Sequence, residues 1–83
     1  MPHELRGTGP LAALRVKAGL SQTRAATELG IPASHLSRLE SGHHDPRTEI
    51  VMGMARAYGV TVDVIINAIQ KAKSARARSK AAA

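Results

Sequence analysis

Apolar residues recur along this chain at three- and four-residue spacings, and no stretch alternates as a half-buried strand would. Leu11, Leu14 and Ala18 keep helical rhythm between Pro10 and Gly19, which predicts a first helix from Pro10 to about Ala18 with those three facing inward. Ala25, Ala26 and Leu29 share one face of a second helix, and Leu36 and Leu39 one face of a third, about Ala33 to Ser41. Gly30 stands between them and suits a helix C-terminus, where the chain turns through positive φ. Pro32 suits the opening of the next helix, where a missing N–H costs nothing. Ser21 is placed to cap the second helix, but Arg24 stands where a capping box would hold Glu or Gln, so the cap is single.

A fourth helix is predicted from about Thr48 to Tyr58, burying Val51, Met54, Ala55 and Tyr58 and stopping at Gly59. Gly53 inside it costs about 1 kcal/mol relative to Ala and points either to close packing or to tolerated weakness. Thr61 caps a fifth helix that is apolar over a wide arc, with Val62, Val64, Ile65, Ile66 and Ile69 inside two turns. One subset, Val62, Ile65 and Ile69, closes the domain and leaves Ile66 and part of Val64 for another surface; the other reading buries all five.

These elements divide the chain into a loose arm at residues 1–9, a helical domain at 10–70 and a tail at 71–83. The arm has two glycines, a proline and no periodicity, and Gly42 to Pro46 reads as a loop. From Ala72 the Ala, Lys and Arg sequence either extends the last helix or is disordered.

Composition narrows the function. With 83 residues, no Cys and no Trp, the chain holds one small aliphatic core without disulfides or thiolate chemistry. No apolar run reaches the length of about 20 residues that crosses a bilayer, and no signal-peptide core opens the chain, so a cytoplasmic protein that makes no membrane contact is expected. The net charge of +6 is unevenly placed. Residues 1–70 hold seven Lys or Arg against all six acids, whereas Lys71, Lys73, Arg76, Arg78 and Lys80 fall in the tail without an acid. The tail reads as an arm for phosphate or the minor groove, as a solubilising extension, or as an inert remnant. No nucleophile–base pair, carboxylate pair or phosphate-cradling loop is visible, so an enzyme is not expected, nor a cofactor. His43, His44 and Asp45 only superficially suggest a metal site, since adjacent loop histidines rarely converge without further ligands.

Several motifs stand in register: LR at 14–15, SQ at 21–22, LG at 29–30, LESG at 39–42 and YGV at 58–60. Over about Leu11 to Ile69 the chain resembles the lambda-repressor-like, Cro-type (XRE) helix-turn-helix family, which implies an all-α, five-helix DNA-binding fold. The resemblance implies that the third helix enters the major groove, with base contacts at Ala33, Ser34, Ser37 and Arg38, and that Gln22 meets phosphate. Many relatives place Gln or Thr at the first two of those positions, so direct readout here is expected to be sparse, with shape and phosphate contacts carrying more of it. Arg15 and Glu40 correspond to a pair that joins the first and third helices in the family. Lys17, Arg24, His35, His43 and Arg47 are further backbone-contact candidates, each equally readable as a solvated side chain. The fifth helix, through Val62, Ile65, Ile66 and Ile69, is the candidate dimer contact.

The leading expectation is thus a homodimeric transcription regulator, a repressor or autoregulator, on a palindromic double-stranded DNA operator with half-sites about 34–36 Å apart or a multiple of that. The competing expectation is an antitoxin, or another module controlled by a protein antagonist. A nonspecific binder driven by the tail is the third, marked by steep salt dependence.

Overall fold

The computed structural model describes residues 9–82, with side chains to residue 77; residues 1–8 of the arm predicted at 1–9 lie outside the described residues. Five helices follow one another: α1 (Pro10–Lys17), α2 (Gln22–Leu29), α3 (Ala33–Glu40), α4 (Thr48–Tyr58) and α5 (Val62–Ala82), with no strand among the described residues. The all-α class follows directly from the helical spacing of the apolar residues.

The core is aliphatic: Leu11, Ala25, Ala26, Leu36, Leu39, Val51, Met54, Ala55, Ile65 and Ala68 form one cluster, with Tyr58 as its aromatic member. Around it α5 packs on α1 and α4, and α2 packs on α3 and α4. Gly30 and Gly59 close α2 and α4 in the left-handed region, at φ 71° and 69°. Ser21 caps α2, its Oγ accepting the Arg24 N–H at 3.0 Å, and Thr61 Oγ1 accepts the Val64 N–H at 3.3 Å.

Two expectations are corrected, at Ala18 on α1 and at Val62 on α5. Ala18 does not face inward: α1 stops at Lys17, Ala18 is its exposed C-cap, and Ala12 and Arg15 are buried in its place. Pro32 precedes α3 as its N-cap, with extended ψ of 148°, and its carbonyl accepts the Leu36 N–H at 3.1 Å. On α5, Val62 is 39% exposed and does not close the domain; Ile65, Ala68 and Ala72 make the buried stripe, with Ile69 half-buried beside it.

The stripe extends past the predicted domain edge because α5 continues without a break to Ala82. Ala, Lys and Arg are strong helix formers, so local propensity does not oppose that extension.

Candidate nucleic-acid interface

The mounting of α3 begins with a buried network. Arg15 Nε donates to Glu40 Oε2 at 2.7 Å and Arg15 Nη1 to the Leu20 carbonyl at 2.9 Å, while Gln22 Nε2 donates to Glu40 Oε1 at 3.1 Å. Glu40, the last residue of α3, therefore holds both the middle of α1 and the first residue of α2. A buried carboxylate is tolerable because it accepts several charge-assisted or amide hydrogen bonds at once. Burial and, next, the negative Glu40 push the nearby Tyr58 hydroxyl up to about 12, an effect that Arg15 partly offsets.

With Leu36, Leu39 and Glu40 turned inward, the opposite face of α3 is free. Ser34, Ser37, Arg38 and Ser41 are exposed at i, i+3, i+4 and i+7, a single stripe. Ser41 was not anticipated in that stripe; the helical spacing from Ser34 already contained it. Ala33, predicted to meet a base edge, is half-buried and packs against the core, which limits its outward methyl surface.

The flanks are basic and polar. Lys17, Arg24 and Arg47 are exposed, and His35 is half-buried on α3 with its ring 6.0 Å from that of His44. His43 Nδ1 is hydrogen-bonded to Ser41 Oγ at 2.6 Å, which ties the loop after α3 to the helix end. Arg47 is the N-cap of α4 without a side-chain cap bond, so the first amides of α4 face outward without an intrahelical acceptor. A groove lined by Gly30, His35, His44, Asp45, Arg47 and Glu49 separates this N-terminus from the turn between α2 and α3. Among the described residues no group of three or more His, Cys, Asp and Glu side chains is placed to hold a metal ion, and no helix is long and apolar enough to cross a membrane.

The predicted dimer contact resolves into two unlike flanks of α5. Val62 and Ile66, four residues apart, are exposed on one flank, with half-buried Ile69 beside them. Val64 lies on the other, in a groove with Pro10, Leu14, Asn67 and Lys71. Ile65 is fully buried and leaves the interface candidates, since its side chain is spent in the core. In the predicted tail, Lys71, Lys73 and Arg76 are exposed on helix, whereas the Arg78 and Lys80 side chains lie outside the described ones.

The order of these parts, a capped α2, a left-handed glycine turn and an α3 with a polar outer stripe, is that of a DNA-reading unit, and the comparison with known families agrees: the helix-turn-helix family matches residues 11–65. The chain belongs to the XRE-type helix-turn-helix family of DNA-binding proteins. Its relatives include the propionyl-CoA carboxylase regulator of Cereibacter sphaeroides, 34% identical over 75% of this chain and 13% of the relative. The HTH-type transcriptional regulator ImmR of Bacillus subtilis is 35% identical over 63% of this chain and 41% of the relative. This helix-turn-helix chain thus corresponds to less than half the length of either regulator. No solved structure gives a significant match.

Proposed function

We propose that this helix-turn-helix protein is a sequence-specific transcription regulator that binds a palindromic double-stranded DNA operator as a homodimer, with α3 in the major groove, and acts as a repressor or autoregulator. The observation that carries the reading is the division of α3 into a buried face, Leu36, Leu39 and Glu40, and a polar outer stripe of Ser34, Ser37, Arg38 and Ser41. Arg38 is the strong reader in that stripe, since its fork fits guanine N7 and O6 and discriminates by about 1–3 kcal/mol. The serines read with low specificity, so groove shape and phosphate contacts carry the remainder.

Phosphate contacts are assigned to Lys17, Arg24, His35, His43 and Arg47, with the open amides of α4. Gln22 joins them through the second N–H of its amide, the first being held by Glu40. Val62, Ile66 and Ile69 form the proposed dimer contact; an exposed apolar flank at helical spacing supports it.

The test is selection from random duplexes at about 150 mM salt, where nonspecific phosphate binding is weakened. A two-fold motif that relaxes at one position per half-site in Arg38→Ala is expected. Absence of any enriched motif would overturn the reading.

A further inference from the structure

The end of α3 and the last third of α5 meet at one turn. Gly42, at φ +83°, lies so close under α5 that a Cβ there would sit 2.8 Å from the Ala72 carbonyl oxygen, and Ala72 is buried. One residue further, Lys73 Nζ is 3.0 Å from Asp45 Oδ1, in an ion pair open to solvent. The basic segment therefore starts as a helix seated on the loop between α3 and α4 and continues as helix to Ala82.

Helical geometry then places the next cation. Arg76 is four residues after Ala72 and three after Lys73, so it stands one turn, about 5–6 Å, beyond the seat and on the side of α5 that faces the loop. Arg76 is exposed. The loop it extends from, Ser41 to Arg47, leaves the C-terminal end of α3. On the reading of α3 as the groove-entering helix, that loop runs out over a phosphate strand. Asp45 is its acid and would repel phosphate, and Lys73 offsets that charge. Together with Arg47, Lys73 and Arg76 give this edge a positive balance.

From this juxtaposition we infer that the basic end of α5 is a second DNA contact, a docked helix whose Lys73 and Arg76 bind phosphates beside the groove that α3 enters. The inference rests on the proposed role of α3. An exposed ion pair contributes at most about 1 kcal/mol and is screened by salt, so Lys73 turns from Asp45 to a phosphate at little cost. A helix also holds Arg76 in register, which a flexible arm does not.

The experiment uses the full chain and the duplex recovered by selection, with affinity followed over a salt series. Lys73→Gln/Arg76→Gln is expected to leave the motif unchanged and to make log K against log salt shallower by about two per protomer, about four for the dimer, since each phosphate contact contributes about 0.9 to that slope. The variant dimer then loses about a hundredfold less affinity than the wild type between roughly 50 and 200 mM salt, about tenfold for each protomer. A wild-type slope would overturn the contact. Ala77→Pro keeps every charge but interrupts the helix between the seat and Arg76, since a proline there clashes with the Lys73 carbonyl and drives Arg76 out of helical geometry. It is expected to lower the slope by about one per protomer, and a wild-type slope would mean a flexible arm, overturning the docked helix. All three positions are exposed and the proline lies beyond the seat, so the core melts as in the wild type. If the wild type recovers no motif, the reading of α3 falls and this contact with it; a motif with unchanged slopes overturns the α5 contact alone.

Discussion

Arg15 and Glu40, separated by 25 residues and each almost wholly buried, are joined at 2.7 Å across α1 and α3. Removing one partner leaves the other as an unpaired buried charge, at a cost of about 3–5 kcal/mol. Glu40→Ala is expected to lower the midpoint of thermal unfolding by at least 10 °C, on a scale of about 4–8 °C per kcal/mol for a domain of this size. Replacing both, Arg15→Met/Glu40→Leu, is expected to lose less than either single change. Calorimetry of the three variants checks this, and a double-variant loss equal to the sum of the two single losses would show that the pair is not the cause.

Tyr58 gives a pH-dependent prediction. Its hydroxyl is buried and has no hydrogen-bond partner among the described residues, so Tyr58→Phe at neutral pH is expected to be neutral or to stabilise by up to about 1 kcal/mol. The folded value of about 12 lies above the unfolded value of 10.0, so the folded state holds the proton more tightly. The contribution of Tyr58 is complete below pH 10 and is lost as pH rises towards 12, by about 1.4 kcal/mol per pH unit. Urea midpoints between pH 8 and about 11 should therefore fall more steeply in the wild type than in Tyr58→Phe.

Two glycines are expected to respond oppositely to alanine. At Gly53 a Cβ would meet only Leu29 Cδ2, at 3.0 Å, and that side chain borders an open groove into which it can shift. The gain in helix propensity then prevails, and Gly53→Ala stabilises by about 0.5 kcal/mol. At Gly42 the obstacle is backbone and φ is positive, so Gly42→Ala costs about 1–3 kcal/mol. Chemical denaturation of the pair decides both signs.

Ile66 tests the proposed dimer. It is 42% exposed, so Ile66→Asp leaves the fold intact. Sedimentation is expected to show a shift from dimer to monomer, and binding to a two-fold operator is expected to weaken. An unchanged sedimentation coefficient would remove this flank of α5 from the interface.

Helix positions were legible because local chemistry sets them. Thr48 and Gly59 bracket α4, and Gly30 closes α2 in the conformation that glycine favours. Burial on α5 was less legible, because its apolar arc is wider than the surface it meets. Only docking against α1 and α4 selects Ile65 and Ala68 and leaves Val62 outside. Arg15 escaped the inward pattern of α1 for a related reason: a charged residue is buried only where a partner distant in sequence arrives. The outer stripe of α3 follows from spacing, whereas the seat of α5 on Gly42 needed three dimensions.

The two faces of α3 share no residues. Leu36, Leu39 and Glu40 bind the helix to the rest of the molecule, while Ser34, Ser37 and Arg38 lie exposed on the other side and Ser41 is tied to the loop through His43. Substitutions at Ser34, Ser37 and Arg38 therefore fall within the usual range of surface changes, about ±0.5 kcal/mol. A lineage, or a laboratory library varied at those three positions, can explore new binding preferences on one unchanged scaffold.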